Sequence, residues 1–114
     1  MKGFGSHKES TNKKIKNSKV RNINEQMIHK ALKSHSEGNI KEATKYYQSF
    51  IDKGLKDYRV FLNYGAILKD LGKLHDAEKS TRKAIELKPD LTKTYFSLST
   101  LQYSKKNNHW PKAQ

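Results

Sequence analysis

The feature that most constrains the fold of this chain is an internal repeat with a spacing of 34 residues. Identical residues recur at this interval, and the pairs include Gly38 and Gly72, Ala43 and Ala77, and Ile51 and Ile85. Similar residues extend the pattern further along the chain, as small residues at Ala31, Gly65 and Ser99 and large apolar residues at Met27, Phe61 and Tyr95. Self-similarity at a period near this length is typical of stacked helical arrays.

Each period is predicted to hold two helices. In the first period, apolar residues and one histidine follow helical spacing at Met27, Ile28, Ala31, Leu32 and His35. Left-handed caps are expected at Gly38 and Gly72, and helix N-caps are expected at Asn39 (with Glu42 in a capping box) and at Asp57. Pro89 disfavours helix at Lys88 and therefore ends the fourth helix. Because no strand-like alternation competes, we predict an all-α array of about five helices.

The second period resembles a tetratricopeptide repeat (TPR) over its whole length. The residues that carry this resemblance are Phe61, Tyr64-Gly65, Leu68, Leu71-Gly72, Ala77, Ala84 and Pro89. The first period is a more degenerate match, with Lys30, Ser34 and Leu55 in place of typical residues. The third departs from the pattern at two positions. Lys106 replaces the turn glycine, and Pro111 replaces the alanine of the second helix, where a proline would break that helix. The predicted organisation is a disordered basic Lys/Asn-rich tail (1–22), repeat 1 (23–57), repeat 2 (58–91), the first helix of a partial third repeat (92–105) and a frayed C-terminus (106–114).

A set of small residues is predicted to mediate packing between helices. Glycine inside a helix costs about 1 kcal/mol relative to alanine, so Gly65 requires a reason. Its equivalence to Ala31 and Ser99 indicates close approach of a neighbouring helix, on which Ala43 and Ala77 would be the facing residues. The complete set of expected packing and turn residues is Ala31, Gly38, Ala43, Gly65, Gly72, Ala77, Ala84, Pro89 and Ser99.

Charge and composition exclude several classes of protein. The net charge is +13, but residues 1–23 carry +6 of it and residues 92–114 carry +4, so the repeats themselves are nearly balanced. The chain has no cysteine, which excludes disulfides and thiolate metal sites. Apolar runs are too short for a membrane span and no apolar secretory segment follows the basic N-terminus. A cytoplasmic protein is therefore expected.

Catalytic and metal-binding candidates are weak. His29 and His35 are six positions apart, which places them on different sides of a helix. No acidic cluster suits Mg²⁺ or Ca²⁺, and no nucleophile motif is present. We therefore expect no enzyme activity, no cofactor and no metal.

The resemblance to TPR arrays implies a concave groove that receives a peptide. The residues expected to face it are His29, Leu32, His35, Arg59, Leu62, Asn63, Ala66, Lys69, Lys93, Phe96, Ser97 and Tyr103. In superhelical TPRs an asparagine at the position of Asn63 resembles the side chain that holds a bound peptide backbone. The sharper hypothesis is that Arg59, Lys69 and Lys93 bind an acidic or C-terminal carboxylate segment. The alternative is that these are solvated charges on an array too short to bind tightly.

Three functions remain open from the sequence. The leading one is a non-catalytic protein–protein interaction module, a TPR scaffold that binds a protein or peptide partner. A second is the acceptor-positioning N-terminal part, or a remnant, of a TPR-containing glycosyltransferase, sulfotransferase or methyltransferase. A third, which we do not favour, is weak nucleic-acid association through the basic tail. Because the third repeat is incomplete, we also expect marginal stability and self-association through the Tyr95/Leu98/Leu101 helix.

Overall fold

The computed structural model describes the backbone of residues 3–107 and the side chains of residues 19–107. Within the described backbone there are five α-helices and no strand. They are α1 (Gly3–Ser36), α2 (Ile40–Asp52), α3 (Tyr58–Asp70), α4 (Leu74–Leu87) and α5 (Thr92–Asn107). The all-α array predicted from the sequence is therefore confirmed.

The turns between helices follow from local sequence. Gly38 and Gly72 adopt φ of +80° and +78°, the left-handed conformation that glycine tolerates best. Asp57 caps α3, because its side-chain oxygen accepts a hydrogen bond from the backbone N–H of Arg59 at 2.9 Å. Asn39 differs from the prediction: its amide donates to the Glu42 carboxylate at 3.1 Å and makes no side-chain cap to the backbone. The capping box predicted at α2 is thus replaced by a side-chain pair.

Helix α1 begins earlier than the sequence analysis expected. Residues 3–22, assigned there to a disordered tail, have helical backbone continuous with the first repeat helix. Extending a nucleated helix adds one hydrogen bond for each residue fixed, and residues 6–22 contain no glycine or proline that would interrupt it. The side chains described at this end, residues 19–23, are all exposed. The frayed terminus predicted for residues 106–114 lies almost wholly outside the described residues.

The helices pack as consecutive antiparallel neighbours. The closest pairs are α3 with α4 and α1 with α2, and α5 lies against α4. One hydrophobic cluster joins the first three helices, with Ile28, Ala31, Ala43, Tyr47, Phe50, Val60 and Ile67 buried. A smaller cluster of Leu68, Ala77 and Leu101 joins α3, α4 and α5. We call these the first and second clusters.

The close approach predicted at Gly65 occurs between α3 and α4. A Cβ atom at Gly65 would lie 2.9 Å from the Thr81 hydroxyl oxygen and 3.4 Å from the Ala77 carbonyl oxygen. The neighbouring backbone is fixed there, because Thr81 Oγ1 donates to the Ala77 carbonyl at 2.8 Å. Glycine at this position is therefore required by packing.

The other small residues divide into two groups. Ala31, Ala43, Ala77 and Ala84 are buried to 1% exposure or less, which fits their assigned role between helices. Ser99 is exposed, contrary to expectation. Its equivalents in the earlier periods face the second helix of their own repeat, and among residues 19–107 no such helix follows α5.

Candidate peptide-binding groove

A cavity of about 250 Å³ opens beside the first helices of the successive repeats. Most of its lining comes from α3 and α5, with one residue from α1 and one from α4. The lining residues are His35, Leu62, Asn63, Gly65, Ala66, Lys69, Thr81, Lys93, Ser97 and Leu101. We call this cavity the groove.

Two lysines and no carboxylate line the groove. Lys69 comes from the last turn of α3 and Lys93 from the first turn of α5. Because the neighbouring lining residues are neutral polar or apolar groups, the local field favours an anionic ligand. The charged side chains of the lining are therefore both cationic.

Asn63 also lines the groove and is half-buried. Its amide nitrogen donates to the Arg59 carbonyl at 2.7 Å, which fixes the orientation of the carboxamide. A carboxamide has two N–H donors and an accepting oxygen. The remaining N–H and the oxygen can pair with the N–H and C=O of a peptide backbone.

Seven of the twelve groove residues in the sequence hypothesis line this cavity. The seven are His35, Leu62, Asn63, Ala66, Lys69, Lys93 and Ser97. Four others, His29, Leu32, Phe96 and Tyr103, do not line it. His29 instead lies on the exposed side of α1, where Nε2 approaches a Glu25 carboxylate oxygen at 3.4 Å.

Arg59 is held by carboxylates and does not line the groove. Its guanidinium donates to both oxygens of Glu25 at 2.9 Å, and to Asp57 at 3.0 Å from Nε and 2.9 Å from Nη2. This arrangement corrects the hypothesis that Arg59 binds an anionic ligand. The physical reason is in the sequence, since Asp57 caps the same helix and Glu25 occupies the position of Arg59 one period earlier.

The pKa values of this ionic cluster follow from its contacts. Hydrogen bonding to Arg59 lowers the pKa of Glu25 below its usual range. Partial burial raises the pKa of Asp57, but the hydrogen bonds from the side chain and backbone of Arg59 more than offset this and lower it overall. The pKa of Arg59 is raised by its bonds to Asp57 and Glu25. The cluster joins α1 to α3 and is structural.

Three lining residues, Gly65, Thr81 and Leu101, were absent from the groove hypothesis, although Gly65 was predicted as a packing residue. Thr81 occupies the position of Tyr47 one period later, and this smaller side chain lines the groove. The 34-residue period could have indicated Thr81 once Tyr47 was known to lie near the groove. In the structure the hydroxyl oxygen of Tyr47 lies 3.1 Å from Nδ1 of His35, which lines the groove. Leu101 was assigned to an exposed self-association surface but is only 2% exposed, packed in the second cluster.

An aromatic surface remains on α5 away from its buried side. Tyr95, Phe96 and Tyr103 are 45%, 74% and 61% exposed. They are the largest exposed aromatic residues of the described chain. This surface differs from the predicted Tyr95/Leu98/Leu101 surface because the α5 face that bears Leu101 packs on α4.

Residues 19–107 hold no group of three histidine, aspartate or glutamate side chains placed to bind a metal ion. No helix in the described part of the chain is long and apolar enough to cross a membrane.

Comparison with known proteins identifies the repeat. A family model for the tetratricopeptide repeat matches residues 58–91, which form α3, α4 and the turn after them. The chain contains a tetratricopeptide repeat. The TPR resemblance stated from the sequence is confirmed.

Two curated relatives carry similar segments. The Hsp70-Hsp90 organizing protein of Triticum aestivum is 37% identical over 62 residues, which cover 54% of this chain and 11% of the relative. The Hsp70-Hsp90 organizing protein 3 of Arabidopsis thaliana is 36% identical over 62 residues, with the same coverage of 54% and 11%. The match thus spans about a tenth of each relative's length. No solved structure is significantly similar to the chain. The TPR and these relatives support a protein–protein interaction module.

Proposed function

We propose that this chain binds an acidic peptide segment of a partner protein in the groove. The observation that carries the proposal is the lining itself, in which Asn63 lies with Lys69 and Lys93 and no carboxylate is present. Asn63 would pair with the peptide backbone, while the lysines would pair with carboxylates of the segment. Leu62 and Ala66 supply an apolar wall for the aliphatic parts of the ligand.

The size of the groove limits what it can hold. A volume of about 250 Å³ is at the lower end of ligand pockets in general. It suits one or two residues of an extended segment, with the flanking residues lying on α1 and α5. We therefore expect a weak, micromolar interaction that depends on ionic strength, because lysine–carboxylate pairs at partly exposed sites are screened by salt.

The test is a fluorescence anisotropy titration with a labelled octapeptide of alternating aspartate and glutamate. The same peptide with asparagine and glutamine is the matched ligand control. We expect the acidic peptide to bind and the neutral one to bind at least about tenfold more weakly, the equivalent of about 1.4 kcal/mol. Equal binding of the two peptides, or no binding of either at low salt, would contradict the proposal.

Variants locate the binding site. Lys93→Glu and Asn63→Ala are expected to weaken binding of the acidic peptide, the charge reversal more strongly. Lys41→Glu is the control, because it makes the same charge change on the exposed side of α2, away from the groove. If Lys41→Glu weakened binding as much as Lys93→Glu, the interaction would depend on overall charge and the groove would have no specific role.

A second proposal concerns the partner. The relatives are named for organising Hsp70 and Hsp90, and their matched segments are 36–37% identical to this chain. We propose that a chaperone of one of these classes is a candidate partner. Surface plasmon resonance with purified Hsp70 and Hsp90 tests this, with Lys93→Glu as the control. Binding that Lys93→Glu abolishes would support it, and absence of binding to both chaperones would remove it.

A further inference from the structure

His35 connects the groove to the interior of the first repeat. Its ring lines the groove, and its Nδ1 atom lies 3.1 Å from the hydroxyl oxygen of Tyr47. The two rings meet edge to face, with centroids 5.9 Å apart and an interplanar angle of 76°. Tyr47 itself is fully buried at 0% exposure.

The direction of this hydrogen bond follows from burial. If Nδ1–H donated to the hydroxyl, the O–H of Tyr47 would need another acceptor in the interior, and His35 is its only hydrogen-bond partner among residues 19–107. Leaving a buried donor unpaired costs about 1–3 kcal/mol. Burial also raises the pKa of Tyr47 to about 12, so the hydroxyl keeps its proton. The hydroxyl therefore donates to Nδ1.

A neutral imidazole that accepts at one nitrogen carries its proton on the other. Nδ1 accepts from Tyr47, so the proton is on Nε2. The two nitrogens point to different sides of the ring, and Nδ1 is directed to the interior. Nε2–H is therefore the ring donor available on the groove side.

We propose that His35 is a specificity-determining residue of the groove, whose Nε2–H donates to a carboxylate oxygen of the bound acidic segment, and that Tyr47 is the positioning residue that fixes this tautomer. This inference rests on the proposed function for its ligand, whereas the tautomer is a property of the free protein. The attraction between a lysine and a carboxylate depends little on the direction from which the carboxylate approaches. A hydrogen bond from a fixed ring N–H is directional and therefore selects the position of the accepting oxygen.

The first test measures the tautomer without any ligand. Nitrogen-15 correlation spectra of the histidine rings at pH 8 separate the protonated ring nitrogen from the unprotonated one. We expect His35 to carry its proton on Nε2 in the wild type, and Tyr47→Phe, which keeps the ring and removes the hydroxyl, to shift His35 to a mixture of tautomers. A wild-type His35 protonated on Nδ1 would overturn the inference and leave the proposed function standing.

The second test measures binding of the aspartate–glutamate octapeptide. His35→Gln places an amide donor near the position of Nε2, whereas His35→Asn reaches only as far as Nδ1. We expect Tyr47→Phe and His35→Asn to weaken binding about threefold to tenfold, and His35→Gln to retain more affinity than His35→Asn. His29→Ala, an exposed histidine of the same helix outside the groove, is the control and should bind as the wild type.

Two outcomes separate the possible failures. If the wild type binds the peptide and Tyr47→Phe binds equally well, with helical circular dichroism unchanged, the role of His35 is wrong while the groove stands. If the wild type does not bind the peptide, the proposed function fails and the ligand assigned to His35 fails with it. Thermal unfolding of each variant identifies a loss of binding that merely reflects a loss of fold.

Discussion

The first and second clusters share two pairs of equivalent positions, Ala43 with Ala77 and Ile67 with Leu101, but they differ in the other residues that they bury. The first cluster buries Tyr47, Phe50 and Val60 among other apolar side chains. The second holds three buried apolar residues, Leu68, Ala77 and Leu101. Of the five buried polar residues among residues 19–107, Ser34 lies on α1 and the other four, Ser80, Thr81, Thr94 and Ser104, lie on α4 and α5.

Two equivalent pairs show how the difference arises. Tyr47 in the first period becomes Thr81 in the second, and Val60 in the second becomes Thr94 in the third. Apolar burial stabilises by about 25 cal/mol per Å², whereas a buried hydroxyl must find a hydrogen-bond partner to avoid a cost. Thr94 Oγ1 is buried and finds none within residues 19–107. We therefore expect α5 to open more readily than α1 to α3.

The groove lies beside both clusters. Its α1 side, at His35, is held by Tyr47 of the first cluster. Its α5 side, at Lys93 and Ser97, is held by the second cluster and by an ion pair from Lys105 to Glu78 at 2.6 Å. We therefore expect the α1 side to be a rigid wall (the firm wall) and the α5 side to be a more mobile wall (the adjustable wall). Ligand binding should stabilise the adjustable wall.

The largest expected effect comes from emptying the first cluster. Phe50→Ala should destabilise the chain by about 3–5 kcal/mol, because Phe50 is 3% exposed and the cavity left behind cannot collapse fully. Leu101→Ala is the comparison in the second cluster and should mainly release α5. Urea unfolding followed by helical circular dichroism measures both. If Leu101→Ala cost as much as Phe50→Ala and unfolded the whole chain, the two clusters would form a single cooperative unit.

The next effect concerns the contact between α3 and α4. Gly65→Ala should cost about 1–3 kcal/mol, since the added methyl group meets the Thr81 hydroxyl at 2.9 Å. Combining it with Thr81→Ala, which removes the obstructing oxygen, should recover part of the loss in a double-mutant cycle. Additive losses in the double variant would show that the clash is elsewhere.

A smaller, stabilising effect is expected at Thr94 on α5. Thr94→Val replaces the unpartnered hydroxyl by a methyl group of similar size and restores the residue found at the equivalent Val60. We expect a gain of about 1 kcal/mol, because the desolvation cost of the hydroxyl is removed. Thr92→Val, at an exposed position of the same helix turn, is the control. A loss of stability on Thr94→Val in thermal unfolding would mean that the hydroxyl has a partner in solution.

The smallest effect is expected from the ionic cluster of Glu25, Asp57 and Arg59. Both carboxyl groups have lowered pKa values in the folded chain. Their contribution is therefore present above their unfolded pKa values of about 4 and is lost as the pH falls through the lower folded values. Arg59→Met should reduce stability at pH 7 and flatten the loss between about pH 5 and pH 2.

Lys105→Met is the matched variant at the contact between α4 and α5, where Lys105 lowers the pKa of Glu78. Urea unfolding at pH 7 and pH 3 compares the two variants. An acid-induced loss in Arg59→Met as steep as in the wild type would contradict the role assigned to the cluster.

The sequence predicted much of the fold because its signals are local. The period, the glycines at Gly38 and Gly72 and the cap at Asp57 each follow from residues close in the chain. The position of Gly65 against a neighbouring helix was also accessible, since the period repeated a small residue there.

What the sequence did not predict depends on tertiary contacts. The pairing of Arg59 with Glu25 removed it from the groove, and the burial of Leu101 removed it from the predicted exposed surface. The hydrogen bond from Tyr47 to His35 joins two residues that are 12 positions apart in the chain and lie on different helices. Neither the spacing nor the residue types specify such partners until the helices are packed.

The most direct test of the account is hydrogen exchange of backbone amides with and without the aspartate–glutamate octapeptide. In the free chain we expect amides of α5 around Ser97 and Leu101 to exchange faster than those of α2 around Tyr47 and Phe50. At saturating peptide the α5 amides should become protected, while those of α2 change little. Unchanged exchange throughout α5 at saturation would contradict the claim that this chain binds an acidic segment between its firm and adjustable walls.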